Sequence, residues 1–413
     1  MMKQLFLFLL ILVSCQGFSY NLKLKPGYWH TSFAINDSTA LPVTFLVEKE
    51  KKTYHVFVIN ADETIELRNI GQTRDSLYVR FPGFGSELKC RIVNKKQIEG
   101  YWFNIAKGPN YKIPLTATLG YKSRFPKAES DLSVAGRWEV TFDYENAPEK
   151  AIGEFAPLTT HYSYSQTNVI KGTFLTETGD YRFLEGVISN DSLNLSTFDG
   201  SHAFLFQSKF RNDTLWGQFY SGTHYHVNWY AVRNPDFQLK HPDSLTYLIN
   251  EQPLKLALSD LNSETYHYPN AQTKNKVTLI QIMGTWCPNC LDESRYLNQK
   301  KETFGNQLNI ISVAFEMPKT LEAKIAKVQS FKDDLGLDFK FLIGGKASKL
   351  EALELFPMLN KVISFPTLIF IDKAGTIRKI HTGFNGPGTG QHYKAFVERT
   401  DSFLEALIAE NVN

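Results

Sequence analysis

The chain has 413 residues, with 45 basic against 42 acidic side chains and a formal net charge of +3. That length allows two or three domains of roughly 100–200 residues, and a composition 43% hydrophobic and 21% charged excludes a long disordered or collagen-like chain. A near-neutral balance with no run of Lys/Arg leaves no electrostatic footprint for nucleic acid. The cysteines are Cys15, Cys90, Cys287 and Cys290, too few for a disulfide-stapled scaffold, yet two of them stand three apart, a spacing that points to chemistry.

Lys3 precedes an apolar run from Leu5 to Val13, well short of the ~20 residues a spanning helix needs. Residues 1–15 are therefore expected to be a signal peptide and to take no part in the fold. Leu12-Val13-Ser14-Cys15 resembles a bacterial lipobox, which would make Cys15 the lipidated first residue of an envelope-tethered protein. The alternative is ordinary cleavage near Gly17, which would discard Cys15. Either way the protein is expected to be exported.

From about Leu22 to Arg233 the sequence reads as strands. Leu88, Cys90 and Ile92 alternate with Lys89 and Arg91, and Pro82-Gly83, Gly108-Pro109-Asn110 and Asn212-Asp213 mark turns. An internal repeat runs through it: Gly27-Tyr28-Trp29 recurs as Gly136-Arg137-Trp138, Asp75-Ser76-Leu77 as Asp191-Ser192-Leu193, and Tyr101-Trp102 is echoed around Gln218-Phe219. The slowly drifting offset predicts two related antiparallel β units, residues 22–125 and 130–233, forming small barrels or sandwiches. Under that alignment Cys90 matches Phe206 and is expected to be a small core residue. Phe174, Phe183, Phe204 and Phe206 read as core, and His224-Tyr225-His226 as aromatic β surface rather than a metal site.

Residues 234–253, with Asn234-Pro235, His241-Pro242 and Gln252-Pro253, read as a linker. Beyond it the pattern changes. Val277–Met283 and Leu308–Phe315 are buried-type strands with a helix between them; Thr320–Asp334 and Ala347–Phe356 read as helices; Thr367–Ile371 turns through Asp372-Lys373-Ala374-Gly375 into a partner strand; and an apolar stripe from Phe396 to Ile408 has helical spacing. Residues 254–413 are thus an α/β domain.

Trp286-Cys287-Pro288-Asn289-Cys290 lies where the first of those strands meets the first helix. Cys287 falls at the N-cap and Pro288 at the first helical position, where its missing N–H costs nothing. Unpaired N–H groups and the helix dipole favour a thiolate at Cys287, and Cys290, one turn deeper, is placed to resolve a mixed disulfide. Glu293 shares a helical face with Cys290 and is a candidate to take or give its proton. Pro366, before the strand Thr367–Ile371, suits a cis peptide. Neither a second CxxC nor an accompanying His pair stands nearby, as zinc would require, and dithiol chemistry needs no cofactor.

These residues together resemble the exported, membrane-tethered thioredoxin-like disulfide reductases of the TlpA/ResA group. The resemblance rests on Thr285 to Cys290, Glu293, Phe365-Pro366-Thr367 and the Asp372–Gly375 turn, and covers roughly residues 255–410. It implies a thioredoxin fold for that part, so the chain is expected to be multidomain, the β-rich N-terminal region read above followed by a C-terminal α/β thioredoxin fold. It also implies catalysis at Cys287 and Cys290 with Glu293 tuning them, substrate contacts at Trp286, cis Pro366 and Thr367, protein disulfides as substrates, an upstream membrane thiol donor and a periplasmic location. Three features depart from the group. Gln281 replaces the buried aspartate of thioredoxins, Ser294 stands where proline is usual, and Lys346–Lys361 looks like a helical insertion able to shape or cover the site.

Two other readings compete. Peroxiredoxins share the fold, but their PxxxTxxC pattern is absent: Gly284, not Thr, lies three residues before Cys287. Alternatively the β units are the functional part, as an envelope binding or structural module, and the redox domain is accessory.

Overall fold

The computed structural model describes residues 24–51, 53–120, 124–126, 130–159 and 168–411. Cys15 and the expected signal segment lie outside the described residues.

The first nine strands are β1 (Gly27–Ala34), β2 (Ala40–Glu50), β3 (Thr53–Asn60), β4 (Glu63–Leu67), β5 (Asn69–Gln72), β6 (Ser76–Arg80), β7 (Ser86–Asn94), β8 (Gln97–Asn104) and β9 (Lys112–Leu119). They form one antiparallel sheet in the order β4-β3-β2-β1-β9-β8-β7-β6-β5. Strict alternation, as in β9, where Ile113, Leu115 and Ala117 are buried between exposed neighbours, turns one face of the sheet inward.

The next nine are β10 (Gly136–Phe142), β11 (Glu149–Pro157), β12 (Val169–Thr176), β13 (Gly179–Asp180), β14 (Leu184–Ser189), β15 (Ser192–Phe198), β16 (Ala203–Arg211), β17 (Thr214–Ser221) and β18 (Tyr225–Arg233). Their order, β11-β10-β18-β17-β16-β15-β14-β12-β13, closes through an additional β11–β12 pairing into a barrel. In both sheets the first strand pairs with the second and the last. The equivalence reaches side chains: Trp29 Nε1 donates to the carbonyl of Lys25 at 3.1 Å, and Trp138 Nε1 to that of Val134 at 2.8 Å, four residues upstream in each case.

The register corrects one expectation. Cys90 pairs with Leu77, and the partner of Leu193 is Ser208, so Ser208 rather than Phe206 is the counterpart of Cys90. The hairpin from Leu193 to Ser208 is two residues longer than that from Leu77 to Cys90, and a fixed offset passes over that difference. Cys90 is nonetheless buried, in the first core.

Neighbouring residues of β16 face different cores. Phe206 packs inside the second barrel with Phe174 and Phe219, ring centroids 4.5 Å apart in each pair, whereas Leu205 joins the core of the first sheet. The second barrel is therefore covered on both faces, which explains its continuous apolar runs. Phe183 is only half-buried and lies outside that interior.

The C-terminal sheet runs β23-β22-β21-β24-β25, comprising β21 (Val277–Met283), β22 (Leu308–Glu316), β23 (Lys340–Lys346), β24 (Thr367–Ile371) and β25 (Ile377–Thr382). Every residue of β21, the central strand, is buried. The helices are α1 (Pro288–Phe304), α2 (Leu321–Leu335), α3 (Lys349–Leu355) and α4 (Gln391–Ala409), and a hairpin of β19 (Leu256–Ser259) and β20 (Thr265–Tyr268) precedes them. The chain is thus a large β-rich region followed by a thioredoxin-like α/β domain.

The hairpin escapes sequence reading because its strands are four residues each, and β23 because Gly344 and Gly345 interrupt its apolar run. The expected helical insertion is the single short helix α3, and no residue of 346–361 lines the cavity at Cys287. The segment read as a linker is fastened to the C-terminal sheet: Asp243 bonds His381 at 2.6 Å and Lys379 at 3.2 Å, and Leu248 bridges to Leu359.

Contacts between the β region and the last domain are built in. The Pro82–Gly85 turn between β6 and β7 inserts Phe84 into the C-terminal core, and Gly83 N–H donates to Asp334 of α2 at 3.0 Å.

Candidate functional site

Cys287 caps α1 from an extended conformation, with Pro288 in the first turn, and its Sγ accepts from the Cys290 N–H at 3.2 Å. The two cysteines are joined as a disulfide with Cα atoms 5.2 Å apart. Cys290 is fully buried and Cys287 is 7% exposed. The helix thus presents its N-terminal N–H groups and positive dipole end to the outer sulfur, which favours the thiolate after reduction.

The segment before Cys287 is fixed from behind. Glu316, at the end of β22, accepts from Thr285 N–H at 2.7 Å and Oγ1 at 2.8 Å, and Trp286 Nε1 donates to the Phe365 neighbour Phe315 through its carbonyl at 3.0 Å. Burial pushes the Glu316 carboxyl up to about 7. Sequence reasoning missed Glu316, although an acid ending an otherwise apolar strand was visible.

The Phe365–Pro366 peptide is cis, and the Phe365 carbonyl oxygen lies 3.2 Å from Cys287 Sγ. Trp286 packs edge-on to Phe365, centroids 5.5 Å apart. Pro366 is buried, and Thr367 is fully buried with its hydroxyl donating to the Ser364 carbonyl at 2.9 Å. Of the three residues expected at the substrate, Trp286 lines the cavity at Cys287 and Pro366 and Thr367 do not.

Glu293 is fully buried and burial pushes it up to about 8. Gln281 organises its surroundings. The side-chain amide of Gln281 donates to Glu293 Oε2 at 2.9 Å and to the Cys290 carbonyl at 3.3 Å. Its oxygen accepts from Ser312 Oγ at 2.6 Å and Ser294 Oγ at 3.1 Å. The two departures noted in the sequence, Gln281 and Ser294, are therefore hydrogen-bonded to each other.

In front of Cys287 is a cavity of about 460 Å³. Trp286, Cys287, Pro288 and Asn289 form one side, and the mouth of the second barrel with the Asn104–Lys107 turn of the first sheet forms the other. Beside it Arg182, 4% exposed, is ion-paired to Glu63 of the first sheet at 2.8 Å, to Asp199 of the second at 3.0 Å, and to Asp292 of α1. His202, also at the cavity, lies 3.3 Å from Asp199, and its burial pushes it down. Nothing local in the sequence marked this cluster. His224 is instead at the rim, bonding Tyr111 Oη at 3.2 Å, and His226 stacks on Tyr220.

Residues 233–395 match the Redoxin family. The chain is 26% identical over 133 residues to the thioredoxin-like protein YneN of Bacillus subtilis, covering 32% of this chain and 71% of that one. It is 28% identical over 134 residues to the thiol-disulfide oxidoreductase ResA of Halalkalibacterium halodurans, covering 32% and 68%. A thioredoxin-family thiol:disulfide interchange protein from Chlorobium tepidum aligns at 15% identity over 39% of this chain and 98% of that one, with a TM-score of 0.30. The C-terminal part is a Redoxin domain, and the enzyme class is thiol–disulfide oxidoreductase. The curated relatives named here each cover about a third of the chain. Among the described residues no helix is long and apolar enough to cross a membrane.

Proposed function

We propose that this chain reduces protein disulfides in the bacterial cell envelope through its WCPNC motif. The observation that carries the reading is Cys287 at the N-cap of α1, with the Cys290 N–H 3.2 Å from its sulfur. In the reduced enzyme the Cys287 thiolate attacks one sulfur of the substrate disulfide and expels the other as a thiolate. Cys290 then loses its proton and attacks Cys287 Sγ, releasing the second substrate thiol and leaving the enzyme oxidised. Two electrons pass to the substrate, and an upstream membrane thiol donor restores the pair.

Glu293 is the proton partner of Cys290: burial holds it protonated to about 8, so it exchanges a proton near neutral pH, within the chain of groups that Gln281 links. Trp286 meets the substrate, whereas Pro366 and Thr367 are positioning residues that set Phe365 against Cys287. Cys15 carries the lipid that tethers the exported protein to the membrane.

The test is a Cys290→Ser variant expressed in an envelope-bearing host. It is expected to accumulate mixed disulfides with protein substrates that collapse on thiol treatment, absent from a Cys287→Ser variant. If neither adducts nor reduction of a small test disulfide is found, the reading fails.

A further inference from the structure

Two sets of contacts limit what can reach Cys287. The turn between β12 and β13 sits on the redox face: the Thr178 carbonyl accepts from Ser364 Oγ at 2.8 Å. Both elements are glycine at their closest approach. A Cβ on Gly383 would lie 2.8 Å from the Thr178 carbonyl carbon, and one on Gly179 would lie 1.9 Å from Asn289 Nδ2. Pro366 is buried in this arrangement, and its carbonyl already accepts from Gly383 N–H at 2.9 Å. Pro366 is thus held in the β24–β25 ladder, and Ser364 beside the cis peptide is engaged by the Thr178 carbonyl.

What remains open to Cys287 is the cavity of about 460 Å³. A specific contact between folded proteins needs about 800 Å² and some 20–30 residues from each partner. A cavity of this volume is in the range that encloses a small ligand or a few side chains. A disulfide on a rigid folded surface would meet the barrel rim before its sulfur reached one that is only 7% exposed.

We infer that the mouth of the second barrel is the specificity wall of the redox site, admitting a disulfide carried on a thin, extended peptide segment and excluding one on a folded surface. Phe204 and Phe219 supply apolar surface for the side chain beside the substrate cysteine. Lys107 from the first sheet, and Glu149 and Asp180 from the second, supply charged groups for its backbone and polar neighbours. The inference rests on the proposed thiol–disulfide reaction and uses the same two-electron exchange, with an external dithiol as the source of electrons.

The experiment uses the full chain, reduced with a small dithiol and desalted. Its substrates are an unstructured peptide disulfide and a folded domain bearing one surface disulfide. The expected kcat/KM for the peptide exceeds that for the folded domain by about a hundredfold, as exclusion of a standard-size contact requires. Ser221→Trp, which intrudes on the cavity, and Ala106→Trp, on a separate element that lines it, are each expected to lower the peptide value by about tenfold or more. Both should leave iodoacetamide alkylation of reduced Cys287 within about twofold, since that reagent needs little of the volume. Similar rates on the two substrates, or undiminished peptide reduction by both tryptophan variants, would overturn the inference while leaving the oxidoreductase reading intact. Failure of the wild-type chain to reduce either substrate, with no Cys290→Ser adducts, would overturn both.

Discussion

Gln281 holds Glu293 and Cys290 together: one side-chain nitrogen donates to the carboxylate of the first and the carbonyl of the second. The acid that burial keeps protonated is thereby tied to the turn of α1 that carries the inner cysteine. A glutamine makes this linkage at the strand position where thioredoxins carry a buried aspartate.

Glu293 should make stability depend on pH. Its ordinary value of 4.5 rises to about 8 on burial, so over that window the folded state holds a proton the unfolded state has lost. The contribution is complete below the unfolded value and is lost as pH rises through the folded one. Glu316 and Asp180, raised to about 7 and about 6, act in the same sense, so the effect is read as a difference. Between about pH 5 and about pH 9 the urea midpoint of wild type should fall more than that of Glu293→Gln. Parallel curves would remove Glu293 from the account. The same variant should slow resolution of the mixed disulfide by about a hundredfold.

Arg182 neutralises carboxylates from the first sheet, the second barrel and α1 at once. Arg182→Met leaves Glu63, Asp199 and Asp292 buried without their shared cation and should cost about 3–5 kcal/mol. Chemical denaturation measures this, and a loss well under 1 kcal/mol would show that water or rearrangement replaces the guanidinium.

Gly179→Ala should disturb the turn over the redox face, since φ is +152° and the new methyl would overlap Asn289 Nδ2. A cost of about 1–3 kcal/mol is expected, with faster alkylation of reduced Cys287. Asn289→Ala in the same chain should recover part of both effects, and strict additivity in that double-mutant cycle would deny the contact.

Cys90 should be silent. Burial pushes its thiol up to about 12, so iodoacetamide applied to the reduced native protein should modify it only after denaturant is added. Native labelling of Cys90 at the rate of a free thiol would mean that the first sheet opens readily.

Local chemistry was legible in the sequence, and assembly was not. The cap at Cys287, the proline at 366 and the buried run Val277–Met283 each follow from residues within one turn or one strand. The paired tryptophans at 29 and 138 disclosed a true structural correspondence, although an offset alone could not locate Ser208 opposite Leu193. By contrast Glu63, Arg182, Asp199 and Asp292 are isolated charges in the sequence, and only packing of the first sheet, the second barrel and α1 brings them together. Pro366 and Thr367 read as substrate contacts because the motif is local, while the turn that bonds neighbouring Ser364 comes from another part of the chain.

Phe84 lies among side chains of the C-terminal core, and a Cβ on Gly83 beside it would meet Leu291 at 3.0 Å and Phe331 at 3.6 Å. A fragment cut at residue 254 would therefore lack a piece of its own interior and would expose an apolar dent where the turn had been. During synthesis the turn leaves the ribosome long before the core it completes, so it waits exposed until α1 and α2 arrive. Maturation of the redox pair is in this way coupled to prior folding of the β region, and an enzyme with a defective first sheet would be left with an ill-formed thiol centre.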